Sequence, residues 1–381
     1  MRKYDTVIGL EVHVQLATKT KIFCSCSTTF GAEANTQVCP VCLGLPGVLP
    51  VLNRKAFEYA IKVAVALGCD IQKQVKFDRK NYYYPDLPKN YQISQYDMPI
   101  AYNGKIDVKL EDGTKKMIGI TRAHLEEDAG KLIHDPNKPF SYVDLNRTGT
   151  PLLEIVSEPV INSPDEAHKY LVTLKQVIEY LGVSDCNMEE GSLRCDANIS
   201  LKEKGAIKLG RKVEIKNLNS FKAVREALLH EQTRQAEMLD EGKKISQETR
   251  LWDEAKGETL SMRTKEEAHD YRYFPEPDLV PFEVDAEIIN KIKKEMPEMP
   301  QIKREKFLNY GLDEKIVENL IGESSTANYC EQVFMLGAIP EERQAAANWI
   351  NGEMMSFLNE SGKADIAELN IKPKDLVDLV K

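Results

Sequence analysis

The segment VIGLEVHVQL, residues 7–16, alternates apolar and polar side chains and predicts a β-strand near the start of the chain. From Leu10 onward the even-numbered positions are apolar, whereas Glu11, His13 and Gln15 occupy the odd-numbered positions. Successive side chains of a strand point to opposite faces of the sheet, so one face would pack on a core and the other would present an acid, an imidazole and an amide. The polar face is either exposed to water, which is common in antiparallel sheets, or directed into a site.

Polar and apolar residues also alternate in two later segments, SLRCDANISL (192–201) and KVEIKNL (212–218). TPLLEIVSE, residues 150–158, instead carries Glu154 within an apolar run, where a lone charge is costly unless it is paired or bound to a metal. The polar set consists of acids, amides, Arg, Lys and His, which together could serve a Mg-nucleotide site, because carboxylates bind Mg²⁺ and cations neutralise phosphates. The sequence contains no P-loop, so any nucleotide site would be of another type.

Helix signals, with a capping or a terminating residue, occur at three places: 53–68, 163–182 and about 220–241. These helices are interspersed with the strand-like segments without regular βαβ spacing, which favours an α+β fold with a largely antiparallel sheet. RLWDEAKGETLSMRTK, residues 250–265, predicts a hairpin with its turn near Lys256 and Gly257. After several prolines the chain shows only short helical patterns, so we expect a domain boundary near 285–300 that opens an all-α domain.

The composition is that of an ordinary globular protein of two or three domains, with 381 residues, of which 42% are hydrophobic and 29% charged. A net charge of −9 argues against a general role in coating nucleic acid but is compatible with a selective RNA enzyme that has a local basic groove. No apolar run approaches the roughly 20 residues of a membrane helix. Glu11 and His13 interrupt the apolar stretch that a signal peptide needs, so we expect a cytoplasmic protein without a membrane partner.

Four of the eight cysteines lie close together in CSCSTTFGAEANTQVCPVC, as Cys24, Cys26, Cys39 and Cys42. Two tight pairs joined by a short loop can bring four thiolates to one tetrahedral zinc ion, so the spacing predicts a zinc-ribbon-like insert at 24–42. Such a site is structural, because four thiolates leave no open position for a substrate. The alternative is a set of unmetallated thiols. The other four cysteines are predicted to be small core residues.

Several long motifs, in the same order along the chain, resemble the B-subunit family of the tRNA-dependent amidotransferases, which make Gln-tRNA(Gln) and Asn-tRNA(Asn) from misacylated precursors. The motifs are IGLEVHVQL (8–16), KFDRKNYYYPDLPKNYQISQYD (76–97), DLNRTGTPLLEIVSEP (144–159), EEGSLRCDANISL (189–201), VEIKNLNSF (213–221) and DYRYFPEPDLVP (270–281). The resemblance covers residues 4–290 and continues more weakly to the end. It implies a glutamine-synthetase-like catalytic cradle domain at 1–290 and a helical domain at 291–381. Family members usually continue into a small tail domain that helps to hold tRNA, which we expect to be absent from this sequence.

The same resemblance implies a ligase reaction in protein biosynthesis. ATP would phosphorylate the side-chain carboxylate of Glu or Asp esterified to tRNA, and ammonia would then displace the phosphate. A glutaminase A subunit would release this ammonia from glutamine, within a heterotrimer that also contains a small C subunit. The substrates would be misacylated Glu-tRNA(Gln) or Asp-tRNA(Asn).

The resemblance also implies roles for the polar residues. The residues expected around one or two Mg²⁺ ions are Glu11, His13, Glu126, Glu127, Glu154 and Glu190, all catalytic except Glu127. Lys216 and Arg194 would bind ATP phosphates or the acyl phosphate. Lys216 is also expected to be catalytic. The residues expected to orient these groups or bind nucleotide are Asp196, Asn198, Asn217 and Asn219. Histidine is an unusual magnesium ligand, so His13 could instead support another ligand. Zinc held by the four clustered cysteines would stabilise the fold.

Two other functions remain as alternatives at this stage. The chain could be a non-catalytic scaffold that only positions tRNA, although clustered carboxylates repel phosphates unless a metal lies between them. It could also be a free-standing carboxylate–amine ligase that acts on a small substrate, as glutamine synthetase does. Magnesium-dependent ATP binding discriminates against the first alternative, and a strict requirement for aminoacyl-tRNA discriminates against the second.

Overall fold

The computed structural model describes residues 3–135, 137–264, 271–337, 339–363 and 365–381. Lys265, the last residue of the predicted hairpin, and Asp270, the first residue of the motif DYRYFPEPDLVP, lie outside this part of the chain. The chain forms two compact units. One consists of Met1–Leu174 with Val183–Glu295, and the other of Lys175–Gly182 with Met296–Lys381.

The described strands all belong to the first unit. They are β1 (Tyr4–Gln15), β2 (Asp70–Ile71), β3 (Gln74–Val75), β4 (Asp78–Asn81), β5 (Tyr91–Ser94), β6 (Ala101–Lys109), β7 (Lys115–Glu127), β8 (Lys131–His134), β9 (Ser141–Asp144), β10 (Pro151–Ser157), β11 (Leu193–Glu203), β12 (Val213–Lys216), β13 (Glu248–Asp253), β14 (Glu258–Thr264), β15 (Phe274–Pro275) and β16 (Phe282–Glu283). Nine of them form one sheet in the order β14-β13-β12-β11-β1-β10-β7-β6-β2. Only the β12–β13 pair in this sheet is parallel, so the predicted α+β fold with a largely antiparallel sheet is confirmed.

The helices of the structure lie between the strands and, more densely, after them. They are α1 (Pro40–Leu43), α2 (Arg54–Ala66), α3 (Pro164–Leu181), α4 (Phe221–Asp240), α5 (Ala286–Lys294), α6 (Pro300–Asn309), α7 (Glu314–Leu320), α8 (Ser324–Leu336), α9 (Pro340–Trp349), α10 (Met355–Glu360) and α11 (Pro373–Val380). A π-helical segment occupies Ile350–Met354, and a 3₁₀ helix occupies Ile366–Leu369. No helix in the described part of the chain is long and apolar enough to cross a membrane.

The three helices predicted from the sequence are confirmed, and their capping and terminating residues are the ones that were expected. The side chain of Asn53 accepts hydrogen bonds from the first backbone N–H groups of α2, and Ser220 does the same for α4. Ser163 accepts a hydrogen bond from the Glu166 N–H at the start of α3. Gly182, with φ +63°, follows the last residue of α3 in the left-handed conformation that glycine adopts without strain.

One face of the large sheet is a hydrophobic core. Leu10, Val12 and Val14 of β1 are fully buried, as their even-numbered spacing predicts. The alternating residues Cys195 and Ala197 of β11 are also buried. Helix α4 packs on β11, and α2 packs on β6 and β7. The helices therefore cover the apolar face of the sheet, and the polar side chains lie on the opposite face.

A buried ionic network connects α4 to the β13–β14 hairpin. Glu231 of α4 has no exposed surface, and its carboxylate accepts two hydrogen bonds from the Arg234 guanidinium, at 2.8 and 2.9 Å. Arg250 of β13 lies 3.0 Å from the same carboxylate, and Thr259 of β14 donates to it at 2.5 Å. Burial raises the pKa of Glu231, but the hydrogen bonds from Arg234 and Thr259 outweigh it, so the pKa lies below its usual value. The carboxylate therefore remains ionised and pairs with both arginines.

We expect Glu231→Ala to lower the free energy of unfolding by about 3–5 kcal/mol, because the substitution removes the fully buried carboxylate and leaves the Arg250 and Arg234 guanidinium groups to share Glu248, at 3.0 and 3.7 Å. Urea denaturation followed by circular dichroism measures this change. The matched control is Glu237→Ala, an exposed position on the same helix, which should change the free energy by no more than about 0.5 kcal/mol. Equal effects of the two substitutions would contradict a stabilising role for the network.

The second unit is helical and has its own core. Phe307 of α6 and Phe334 of α8 are fully buried and meet edge to face, with ring centroids 5.1 Å apart. Gln176 and Tyr180, in the segment Lys175–Gly182, both donate to the backbone carbonyl of Ile321, at 2.8 and 2.7 Å. These bonds attach that segment to the unit.

Candidate active site and cysteine cluster

Strand register brings polar residues from neighbouring strands together on the polar face of the large sheet. His13 of β1 lies opposite Glu154 of β10 and opposite Arg194 of β11. Two positions earlier on β1, Glu11 lies opposite Asp196. Directly opposed residues of antiparallel strands point to the same face, so these side chains share one surface.

The first cluster on this face combines two carboxylates with two imidazoles. His13 Nε2 lies 3.5 Å from Glu154 Oε2 and 3.9 Å from Glu126 Oε1. His124 Nε2 lies 3.2 Å from the same Glu154 oxygen and 3.7 Å from Glu126 Oε2. Ser94 donates to Glu126 at 3.2 Å. One ligand atom each from His13, Glu126 and Glu154 lies within 4.8 Å of the others, a spacing that one metal ion can bridge.

The surroundings keep these carboxylates ionised although both are buried. Burial raises the pKa of Glu154, but the charge of His124 and hydrogen bonds from His124 and His13 outweigh it and hold the pKa well below its usual value. Burial raises the pKa of Glu126 too, but the interaction with His124 and the charge of Lys80 together outweigh it, so the pKa lies below its usual value. For His124, burial opposes protonation, but the facing carboxylates raise the pKa to about 9. The cluster therefore offers negative oxygens that are balanced by protonated imidazole when no metal is bound.

A second cluster lies on the same face of the sheet, on strands β1, β11 and β12. Carboxylate oxygens of Glu11, Asp196 and Glu214 lie within 4.8 Å of one another. The Lys216 ammonium is 2.5 Å from Asp196 Oδ2 and 3.2 Å from Glu214 Oε1, and Asn198 donates to Glu11 at 2.9 Å. Burial opposes the charge of Lys216, but the two carboxylates outweigh it and raise the pKa of its ammonium. The Lys216 ammonium therefore lies among oxygens that could also hold a divalent cation.

Arg194, predicted to bind phosphate, is paired in this structure. Both of its terminal nitrogens donate to the buried carboxylate of Asp128, each at 2.9 Å, in a bidentate arrangement. Asp128 also accepts a hydrogen bond from Gln15 at 2.7 Å. The pair fixes the orientation of the Arg194 guanidinium at the edge of the polar face.

The predicted residue Glu127 lies apart from both clusters. It follows Glu126 directly on β7, and adjacent strand residues point to opposite faces. The Glu127 carboxylate pairs with the Lys89 ammonium and accepts the Ile93 N–H at 2.8 Å. It lines a cavity of about 220 Å³ that also contacts Cys24 and Cys42.

Three other predicted residues also lie outside the two clusters. Glu190 is exposed in the turn that precedes β11. Asn217 is exposed, has a left-handed backbone with φ +65°, and donates to a backbone carbonyl of β13 at 3.0 Å. Asn219 is exposed next to the capping residue of α4.

Sequence reasoning did not assign three residues that the structure brings to these clusters: His124, Glu214 and Lys80. His124 has the same strand parity as Glu126, and Glu214 has the same parity as Lys216, so alternation could have identified both. Lys80 belongs to β4, in a separate sheet, and no local pattern predicts its approach. Burial opposes the charge of Lys80, but the charges of Glu126 and its neighbours outweigh it and raise the pKa.

The four clustered cysteines form a separate candidate metal centre. The sulfurs of Cys24, Cys26, Cys39 and Cys42 all lie within 4.8 Å of one another. Cys39 caps the short helix α1, and its N–H donates to the Cys42 sulfur at 3.2 Å. The hydrogen bond from Cys24 is the largest influence on Cys42 and, with the nearby Lys21 ammonium, lowers the Cys42 pKa to about 4. Four thiol ligands at this spacing could bind a metal such as zinc.

The comparisons with known proteins agree with this architecture. Residues 6–290, which include the large sheet, both polar clusters and the cysteines, match the family model described as the GatB/GatE catalytic domain. The match therefore places this region in the GatB/GatE domain family.

Relatives that match along the whole chain assign the protein to one family. The chain is 56% identical over 385 residues to the aspartyl/glutamyl-tRNA(Asn/Gln) amidotransferase B subunit of Carboxydothermus hydrogenoformans, covering 100% of this chain and 79% of the relative. It is also 56% identical to the corresponding B subunit of Thermodesulfovibrio yellowstonii and 54% identical to that of a Geobacter species, each again covering 100% of this chain and 79% of the relative. The chain belongs to the family of aspartyl/glutamyl-tRNA(Asn/Gln) amidotransferase B subunits.

Proposed function

We propose that this protein is the B subunit of a tRNA-dependent amidotransferase and that it activates the side-chain carboxylate of Glu-tRNA(Gln) or Asp-tRNA(Asn) with ATP. The observation that supports this most is the convergence of two acidic clusters, from strands far apart in sequence, on one face of the sheet. A surface used only to hold tRNA would repel phosphates with such a concentration of carboxylates. Family membership supports the amidotransferase reaction.

The donor sets of both clusters fit Mg²⁺. Magnesium prefers carboxylate oxygens, and Glu126, Glu154, Glu11 and Asp196 supply them within the distance that a bound ion bridges. We propose that these residues, with His13 as a ligand or as the partner that orients Glu154, hold one or two Mg²⁺ ions. When bound, magnesium would neutralise the phosphates of ATP and the charge that develops during phosphoryl transfer.

The remaining polar residues would hold and orient the reacting groups. Lys216 would direct its ammonium toward the phosphate that is transferred, and Arg194 would contribute a second cation at the edge of the face. Asp196 and Asn198 would keep Lys216 and Glu11 in place. Glu127, Glu190, Asn217 and Asn219 lie outside the two clusters, so their proposed part is limited to nucleotide or substrate contacts at the periphery of the site.

The proposed reaction has two steps. An oxygen of the substrate carboxylate attacks the terminal phosphorus of ATP, the bond to ADP breaks, and an acyl phosphate forms. Ammonia then attacks the carbonyl carbon, phosphate leaves, and the nitrogen loses a proton to give the amide. Positioning and charge neutralisation would supply most of the catalysis. We propose that a glutaminase A subunit supplies the ammonia, within a heterotrimer that includes a small C subunit.

We propose a separate role for each region of the chain. We propose that residues 1–290 form the catalytic cradle, with a glutamine-synthetase-like arrangement of the sheet, and that residues 291–381 form a helical domain. Zinc held by the four cysteines would stabilise the loop at 24–42 rather than take part in the reaction, because four thiolates leave no position for substrate.

The reconstituted complex tests the proposal. We expect ATP hydrolysis to ADP to depend on both Mg²⁺ and misacylated tRNA, and the amide to form only when glutamine or ammonia is present. Thin-layer separation of labelled aminoacyl-adenosine and of labelled nucleotide measures both products. ATP turnover without aminoacyl-tRNA, supported by free glutamate, would favour a ligase that acts on a small substrate. Magnesium-independent binding of tRNA without ATP turnover would favour a scaffold.

A further inference from the structure

A lysine is fully buried beside the cysteine cluster. Lys21 has no exposed surface, and its ammonium donates to the Gln37 carbonyl at 2.7 Å, to the Leu145 carbonyl at 3.4 Å and to the Cys42 sulfur at 3.6 Å. Carbon atoms of its side chain lie close to Gly149, where an added Cβ would be 3.6 Å from Lys21 Cδ. The ammonium is thus held in one position, with one of its donor bonds directed at a cysteine sulfur.

This buried ammonium has no carboxylate partner in the described part of the chain. Other lysines with little exposure are paired with acids: Lys89 with Glu127, and Lys303 with Glu331. No described Asp or Glu oxygen lies within 4.0 Å of the Lys21 ammonium, and carbonyl groups carry no net charge. Burying an unpaired charge costs several kcal/mol, so a stable fold needs a compensating negative group nearby. Among the described residues, the only such candidate that contacts Lys21 is the Cys42 sulfur.

We propose that Lys21 is the counter-ion of a four-thiolate metal centre and a determinant of its metal affinity. Four thiolates around a divalent ion leave a formal charge of −2, which is itself unfavourable in a site that is partly shielded from water. The Lys21 ammonium offsets part of that charge and donates a hydrogen bond to one of the ligand sulfurs. The bond also orients the Cys42 sulfur toward the other three ligands. Lys21 thus acts as a positioning residue through Cys42, and the inference is independent of the catalytic proposal.

The counter-ion role predicts a larger effect in the metal-bound than in the metal-free protein. With the metal bound, Lys21→Met removes the positive charge that the four thiolates need, while methionine keeps most of the buried volume. Without metal, no divalent ion holds four thiolates together beside the Lys21 ammonium, so less negative charge depends on it. A lysine that served only packing would give the same loss of stability in both states.

The test uses the full chain with Zn²⁺ as the probe. We expect Lys21→Met to weaken Zn²⁺ affinity, measured by competition with a chromophoric chelator, by about 10- to 100-fold, as for other residues that hydrogen-bond to metal ligands. In excess chelator the substitution should lower resistance to urea by less than it does with Zn²⁺ bound. The matched control is Lys19→Met, the same substitution at an exposed position two residues away, which should change neither measurement.

Two outcomes would overturn the proposal. One is unchanged Zn²⁺ affinity in Lys21→Met. The other is an equal loss of stability with Zn²⁺ and in chelator, including failure to fold in both states, because that result assigns Lys21 a packing role. Weaker zinc binding together with a smaller loss of stability in chelator than with Zn²⁺ supports the counter-ion role.

Discussion

Replacing Glu154 by glutamine is expected to lower the rate of amide formation on misacylated tRNA by about 10²- to 10³-fold, the loss typical of removing one preorganised electrostatic group from an active site. Glutamine keeps the size of the side chain but removes the charge that faces His13 and His124, at 3.5 and 3.2 Å. A neutral amide and the single negative charge of Glu126 cannot together balance the two positive charges of a divalent cation. ATP-dependent conversion of Glu-tRNA(Gln) by the assembled complex measures the loss.

Two controls separate this effect from damage to the fold. Glu203→Gln changes an exposed acid at the end of β11 and should leave amide formation unchanged. The glutaminase activity of the complex should survive in both variants, because we propose that it belongs to another subunit. His13→Ala is expected to resemble Glu154→Gln, since it removes the imidazole that orients the same carboxylate. Amide formation by Glu154→Gln at the unaltered rate would contradict the assignment of this cluster.

Strand alternation predicted which face of each strand is polar, but it did not predict which strands would be neighbours. In β1 the burial of Leu10, Val12 and Val14 follows directly from the period of two. The pairing of β1 with β10 and with β11 joins segments more than 100 residues apart. Such pairings depend on the packing of the entire core, and only the completed fold brings His13 beside Glu154.

The predicted residues that lie outside the two clusters do so for specific physical reasons. Glu127 was predicted together with Glu126, but consecutive residues in a strand point to opposite faces, and the structure pairs Glu127 with Lys89. Glu190 lies in a turn, where no periodicity fixes the direction of a side chain. Lys80 belongs to a separate three-stranded sheet, and only long-range packing brings it near enough for the charge of Glu126 to raise its pKa.

The second large effect is expected for Lys216→Met, which should lower the ATP-dependent step by about 10²-fold and raise the KM for ATP. The ammonium lies 2.5 Å from Asp196 and 3.2 Å from Glu214, and the raised pKa of Lys216 keeps it charged at neutral pH. Methionine fills a similar volume without charge, so the three acids of the second cluster would face an incoming triphosphate with no lysine beside them. Initial rates of ADP release at varied ATP concentration measure kcat and KM separately.

Lys212→Met provides the matched control for this prediction. Lys212 is exposed, four residues earlier in the segment that leads into β12, and its substitution should alter neither kcat nor KM. If Lys216 only balanced the charges of Asp196 and Glu214, additional Mg²⁺ would replace it, and high magnesium would restore both constants. If Lys216 contacts the transferred phosphate, magnesium cannot substitute for its hydrogen bonds, and the loss in kcat should persist at every magnesium concentration. Full restoration by magnesium would therefore exclude a direct contact between Lys216 and the phosphate and leave charge balance as its role.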